Sequence, residues 1–407
     1  MSYAGTREIL DADSHVMELP DFLDEFLEPE LVERLRRDTL EAAEPLVHEA
    51  VRRAQARRAD TEQATTAEER LMHDKGWLAL GAFDPGERSR VLDLLGFQSQ
   101  LVFATFATTM FLGRDLDRLY GGSRAQNRAM VRFCGQDERL LPVAFVPLAD
   151  PDRATSAAEE AIEAGCRAVM VPSTAAGGRA PTHPDLDPFW DLLSEANVPF
   201  VLHVGGGGRL LDPAFHNNDM PVTDHLGGGE NVRSKDFLAI PHSPELFLGV
   251  LILDGLFDRF PKLRGGCIEQ GAGWVVSWLR HLDHGLRAFK RTEPPLQRLE
   301  LQPSEYVRRH LKFTPFPGEP VGWMIEQAGP ELFMFSSDYP HPEGGRDPLA
   351  KFEEVLTTVS KADQARFYAQ NMAELLTGNP DARPSGRMRA ETRQRVSVEG
   401  GDSVGQP

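Results

Sequence analysis

A handful of side chains able to bind a metal stand out by where they fall along the chain. Asp13 and His15 flank one residue in Asp11-Ala12-Asp13-Ser14-His15; His203 closes the apolar run Phe200-Val201-Leu202; Glu269 follows Gly265-Gly266-Cys267-Ile268. Near the end, Ser336-Ser337-Asp338-Tyr339-Pro340-His341 supplies Asp338 and His341. On an extended segment, side chains two apart point the same way, so Asp13 and His15 can reach one ion. Imidazoles from His15 and His203 with carboxylates from Asp13 and Asp338 make a borderline-hard N/O donor set. That set suits one divalent ion, Zn²⁺ by expectation, with Mn²⁺ or Fe²⁺ also compatible. Each signal alone is weak, because a D-x-H pair arises by chance and a lone His is commonly a hydrogen-bonded structural residue. The coincidence at several strand ends carries the reading.

The elements that must position these residues follow from apolar runs separated by helix-length segments. Eight strands are expected, over Glu8–Ala12, Gln100–Phe106, Leu141–Leu148, Cys166–Pro172, Pro199–Val204, Leu263–Glu269, His310–Pro315 and Leu332–Ser337. Their both-faced apolar character, with helical patterns over Ala154–Ala164, Asp187–Ala196 and Ser243–Phe260 between them, fits parallel strands with crossover helices. Ser243 suits an N-cap, Pro244 the first helical position, and Pro261 a stop. The economical closure of eight such units is an α/β fold, a (β/α)8 TIM barrel, whose functional groups gather at the carboxyl ends of the strands. A doubly wound open sheet is the alternative, but the turn after its first strand would carry phosphate-binding glycines where this chain has Asp-Ser-His. Two departures interrupt the repeat: a helical insertion after the first strand, roughly 28–90, and a Gly-rich excursion after the fifth, Gly205 to Pro241. The basic stretch Val51–Asp60 reads as a solvated helix face, and the excursion as a lid or pocket wall. A single domain over 1–378 and a disordered tail over 379–407 are expected.

The 407 residues carry 44 Lys+Arg against 62 Asp+Glu, a net charge of −18, which argues against nucleic acid and anionic membrane as partners. Cys134, Cys166 and Cys267 match no CxxC spacing, and Met1 to Glu8 has no basic segment leading into an apolar core. With no run of about 18 apolar residues, a cytoplasmic protein with neither leader nor membrane span is the expectation.

The order D-x-D-S-H-V, then V-L-H-V-G-G-G, then F-S-S-D-Y-P-H-P-E-G resembles the amidohydrolase-related family that includes aminocarboxymuconate semialdehyde decarboxylase. The resemblance runs from about Ile9 to Gly378 and takes in Gly81-Ala82-Phe83-Asp84 with Arg88, and Phe257-Asp258-Arg259-Phe260-Pro261-Lys262-Leu263. It implies a (β/α)8 barrel holding one divalent metal through Asp13, His15, His203 and Asp338. Relatives with two metals bridge them by a carboxylated Lys on the fourth strand; Cys166–Ser173 contains no Lys, so a single ion is expected. Decarboxylases of the family place a His at the end of the sixth strand, where this chain has Glu269-Gln270-Gly271-Ala272-Gly273-Trp274.

That departure makes metal-assisted hydrolysis of a small organic substrate the leading expectation, through a water whose pKa the ion lowers. Asp338 would hold the ion and accept the water's proton, with Glu269 or His341 as second acid/base. Arg88 would meet a substrate carboxylate, and His242 and His225 would face the pocket. The alternative is non-oxidative decarboxylation of an aromatic or unsaturated acid, with His341 or His242 replacing the missing sixth-strand His. A barrel that binds metal without catalysis is a third reading. The resemblance also admits a homodimer.

Overall fold

The computed structural model describes residues 2–205, 210–220 and 233–386. Seven parallel strands form one sheet in sequential order: β1 (Leu10–Val16), β2 (Ser99–Ala104), β3 (Leu140–Phe145), β4 (Ala168–Met170), β5 (Phe200–His203), β6 (Gly265–Ile268) and β7 (Leu311–Phe313). Sequential order removes the doubly wound alternative, which requires a reversal of strand order. The expected eighth strand is not a regular one, yet it closes the circle. Phe313 N donates to Leu332 O (2.8 Å) and Met334 N to Phe313 O (2.9 Å) on one side; on the other, Ala12 N donates to Phe335 O (3.1 Å) and His15 N to Tyr339 O (2.7 Å). The segment 332–339 therefore bridges β7 to β1, giving a barrel of the (β/α)8 type.

The first strand runs four residues past its expected end, so Asp13 and His15 lie within it rather than beyond it. Its pairing with β2 shifts register between Asp11 and Ser14, the signature of a bulge, which re-aims side chains at a barrel rim.

The outer helices form for local reasons. In Pro151–Ala164, Asp150 accepts from Arg153 N (3.0 Å) as N-cap, proline starts the helix, and Gly165 at φ 112° ends it. Its buried Ala154, Ala157, Ala158, Ala161 and Ile162 make one stripe facing the strands. The helix expected over Ser243–Phe260 is two, His242–Leu253 and Leu256–Arg259, separated at Gly255 in the left-handed region (φ 72°). Ser243 does not cap it; its hydroxyl meets that of Ser173 (2.8 Å). The stretch Ser234–Leu253 is long and apolar enough to cross a membrane by length and composition, and half of it is buried; Phe247, Leu248, Leu251 and Ile252 pack into the core beside the barrel.

The insertion after β1 is helical as expected, chiefly Glu44–Ala59, Thr61–Glu69 and Pro85–Leu95. Its basic stretch is partly neutralised, for Arg57 grips Glu87 through two 2.8 Å hydrogen bonds and Arg58 pairs with Asp84. Inside the barrel, Leu10, Leu101, Leu141, Val201 and Ile268 share one cluster with Met372, Leu375 and Leu376 of the helix Asn371–Thr377. That helix seals the amino-terminal end and leaves the opposite rim for chemistry. All three cysteines are buried free thiols. The residues of the excursion at 206–209 and 221–232, including Gly227–Gly229, and of the tail at 387–407 lie outside those described.

Candidate metal centre

At the carboxyl ends of the strands, Asp13, His15, His203, Glu269, Asp338 and His341 converge. The first four form one group, and His15, Glu269, Asp338 and His341 a second; within each group the ligand atoms lie within 4.8 Å of one another. His15 Nε2 stands 3.2 Å from Asp13 Oδ1 and 3.6 Å from Asp338 Oδ1. His203 Nε2 is 3.4 Å from both Asp13 Oδ1 and Glu269 Oε2. The His341 ring stacks on that of His15 at 3.8 Å between centroids, with Nδ1 3.1 Å from Asp338 Oδ1.

The cluster is built against a steep electrostatic cost. Burial of a carboxylate or imidazole charge without compensation is strongly unfavourable, yet Asp13 is 0% and His15 1% exposed. Burial tends to raise the Asp13 carboxyl, but His203 and His15 outweigh it and hold it well below the usual carboxylate range. Burial, then the neighbouring His341, push His15 well below an ordinary histidine. For His203 burial favours the neutral ring, and Asp13 overrides it, so its protonated form is favoured. Asp13 Oδ2 and His15 Nε2 are buried and make no hydrogen bond. Buried lone pairs left without donors, converging with other oxygen and nitrogen ligands, fit a divalent cation. Of the expected ligands, Asp13, His15 and His203 share one group with Glu269, while Asp338 joins His15, Glu269 and His341 in the other, so an ion held by Asp13, His15, His203 and Asp338 would draw on both groups.

The tautomers agree with that role. His203 Nδ1 lies 2.9 Å from Val204 O, a contact only an N–H can make favourable, which turns Nε2 toward Asp13 and Glu269. Thr105, just past β2, donates its hydroxyl to Val16 O (2.8 Å) and stands 2.9 Å from His341 Nε2. With its proton committed, the hydroxyl accepts from His341, so Nε2 carries the hydrogen and Nδ1 faces Asp338. The Thr105 loop is pinned by Glu18, whose buried carboxylate accepts from the amides of Thr105, Phe106 and Ala107 at 2.9, 3.0 and 3.1 Å. Close backbone approach also matters here: a Cβ on Gly344 would sit 2.3 Å from Ser337 O and 3.0 Å from Asp338 Cβ.

Not every expected site residue joins the cluster. Arg88 is corrected: it is fully buried, donates from Nε to Gly81 O (2.9 Å) and from Nη2 to His15 O, and lies 5.1 Å over the Tyr339 ring. With no exposed surface it braces the backbone of His15 and cannot meet a substrate carboxylate. His242 is exposed at the first turn of its helix and belongs to neither ligand group. His225 lies outside the described residues. The cation near the site is instead Lys75, from the insertion. Its ammonium is buried without a hydrogen-bond partner, and burial pulls its pKa down to about 8 although the charges of Asp338 and Glu343 raise it. Gly76 N, next in sequence, donates to Pro340 O (2.9 Å) and ties Lys75 to the His341 loop. Thr105 was readable in principle as the residue that β2 delivers to the rim; nothing in the pattern of the insertion singles out Lys75.

A small pocket of about 20 Å³ adjoins the cluster, lined by Asp13, Glu269, Asp338 and Glu343 together with Pro315 and Phe316. A larger cavity of about 350 Å³ lies near Leu140 and Gly165, at the amino ends of β3 and β4. The chemistry is at the opposite rim, and we assign the cavity no part in it.

Ionisable side chains converging at the strand ends make this α/β barrel a candidate metal-binding barrel, and the comparisons place its family. The chain belongs to the amidohydrolase family, whose model matches residues 11–377. It is 24% identical over 317 residues to a gamma-resorcylate decarboxylase of Rhizobium radiobacter, covering 72% of this chain and 91% of that relative. Among solved structures, an amidohydrolase of Mycobacterium avium subsp. paratuberculosis K-10 superposes with a TM-score of 0.69 at 20% identity, over 91% of this chain and 99% of the other. A dihydroxybenzoic acid decarboxylase of Polaromonas sp. JS666, with bound manganese and the inhibitor 2-nitroresorcinol, gives a TM-score of 0.58 at 16% identity, covering 95% and 99%.

Proposed function

We propose that this chain is a metal-dependent, non-oxidative decarboxylase of a small aromatic carboxylic acid, the second of the sequence-based readings. Two lines support it: the decarboxylase relatives, and above all the joining of a buried acid/base pair, His341 and Asp338, to the metal cluster. Manganese in a neighbour of the same fold and a donor set rich in oxygen favour Mn²⁺ over Zn²⁺. When bound, a divalent ion would supply Lewis acidity to the substrate's anionic group.

The protein's own groups do the rest. Loss of CO₂ breaks the ring carbon–carboxyl bond and leaves its electron pair on the ring carbon, which must take a proton. The His341–Asp338 pair holds that proton at Nδ1, and Thr105 keeps the ring oriented by accepting from Nε2. His242, the other candidate proton donor, is exposed and outside the cluster. Lys75 suits the substrate's anionic group: its ammonium is buried, has no hydrogen-bond partner, and lies close enough to feel Asp338 and Glu343.

Hydrolysis remains the second reading, favoured by one observation, the Glu at the end of β6 in place of a His. The test is a panel of hydroxybenzoic acids, assayed for CO₂ release on Mn²⁺-reconstituted protein, beside a panel of esters, lactones and amides. Release of CO₂ that stops in His341→Ala supports decarboxylation; turnover confined to the second panel would overturn it.

A further inference from the structure

We infer that Glu269 is itself a direct ligand of the metal, a fifth protein donor beside Asp13, His15, His203 and Asp338. The inference rests on the metal-centre reading above and goes beyond it, since that reading leaves Glu269 without a part.

Three observations carry it. The first is position: Glu269 and His15 are the two residues common to both ligand groups, so the Glu269 carboxylate stands within 4.8 Å of every other donor. The second is lone-pair apposition. His203 commits its Nδ1 hydrogen to Val204 O, and its Nε2 then faces Glu269 Oε2 at 3.4 Å and Asp13 Oδ1 at 3.4 Å. Two carboxylate oxygens and an imidazole nitrogen converging out of water need positive charge among them. A proton on Nε2 meets that need in the metal-free chain, and a divalent ion meets it more fully.

The third is the backbone. Glu269 has φ 52° and Asp338 φ 51°, two of four non-glycine residues in the left-handed region among those described. That conformation is strained for a side-chain-bearing residue, and such outliers persist only where surrounding structure enforces them. Here the enforcement is visible: Glu269 N donates to the buried Thr314 hydroxyl (2.8 Å), and Asp338 N to Asp13 O (3.0 Å). The same uncommon turn thus aims a carboxylate into the cluster from β6 and from the eighth segment. Asp338 is a metal ligand by position, and Glu269 is its counterpart across the barrel.

Five protein donors, three carboxylates and two imidazoles, exceed the four of a tetrahedral site. That favours an ion accepting six ligands, Mn²⁺ or Fe²⁺, over a four-coordinate Zn²⁺ site, and it leaves His341 to the proton.

The test reads metal binding directly. Mn²⁺ is titrated into full-length wild type, Glu269→Gln and Glu269→Ala, with free Mn²⁺ followed by electron paramagnetic resonance and metal-bound water counted by proton relaxation. Circular dichroism of the metal-free proteins confirms folding, and the near-isosteric Gln variant keeps the test open if Ala does not fold. The expected result is a loss of affinity of roughly tenfold or more, the lower end of what even indirect partners of a metal site cost, with one additional bound water in Glu269→Ala. Unchanged affinity, or weaker affinity with an unchanged water count, would overturn direct ligation while sparing the metal centre. Wild type that binds no Mn²⁺ would bring down both.

Discussion

Asp11 and Asp13 stand two residues apart on β1, both 0% exposed, yet they have opposite surroundings. Every donor around Asp11 belongs to the protein: Gln100 Nε2 at 2.7 Å, Ser337 N at 2.7 Å and Ser337 Oγ at 2.5 Å. Asp13 meets imidazole nitrogens at 3.2 and 3.4 Å, and its Oδ2 makes no hydrogen bond. The first is a polar knot that stitches β1 to β2 and to the closing segment. The second is a candidate ligand, and its charge is stabilised chiefly by His203. A buried carboxylate is thus structural when the protein supplies its donors and functional when the donors are withheld.

The comparison can be broken most sharply on the Asp13 side. Asp13→Asn and His15→Ala should abolish metal-induced thermal stabilisation entirely, and in metal-free protein both should lower the midpoint, Asp13→Asn by leaving His203 without its carboxylate partner and His15→Ala by opening a cavity. Calorimetry with and without Mn²⁺ reads this; a Mn²⁺-induced rise in midpoint that persists in either variant would contradict it.

The knot side should behave inversely. Arg88→Met removes three hydrogen bonds from a buried cation, to Gly81 O, His15 O and Gln100 Oε1, and should cost about 3 kcal/mol in urea unfolding whether or not metal is present. Asp11 adds a pH signature. Burial pushes its carboxyl up to about 7 against the hydrogen bonds from Ser337 and Gln100, which pull it down. Between about pH 4, where the unfolded carboxyl ionises, and pH 7, the folded chain holds a proton the unfolded one has lost. Folding takes up that proton, so Asp11 makes stability fall as pH rises through this window and then level off. In metal-free protein, the wild type minus Asp11→Asn difference should show this slope; a flat difference would contradict it.

Smaller effects sharpen the acid/base half of the site. Thr105→Val removes the acceptor for His341 Nε2 and should lower kcat about tenfold with little change in KM, while Thr105→Ser restores it. Smallest is the Lys75 effect. Burial brings its pKa down to about 8, so it is charged below that value and neutral above. KM for an anionic substrate should therefore rise severalfold as pH passes 8, and Lys75→Met should have the high KM at every pH.

Much of this was legible in the residues. Period-two spacing placed Asp13 and His15 on one side, and strand ends marked His203, Glu269 and Asp338, because those positions follow from backbone geometry alone. Arg88 was misjudged, since a guanidinium suits a backbone carbonyl as well as a substrate carboxylate and only packing decides which it meets. The eighth segment forms barrel-closing hydrogen bonds without regular strand geometry, and its chain turns through the left-handed region at Asp338. Thr105 and Lys75 owe their places to loop conformation that no periodicity encodes. The reaction class was the least legible: the Glu at the end of β6 pointed to hydrolysis, whereas the relatives and the His341–Asp338 pair support decarboxylation.

The central claim is that the Asp/His cluster holds one divalent ion. Plasma mass spectrometry after Mn²⁺ or Zn²⁺ reconstitution and desalting tests it directly, on wild type, His15→Ala and Asp338→Asn in parallel. The account predicts about one equivalent in wild type and little in either variant; wild type that retains no metal, or variants that retain as much as wild type, would contradict it.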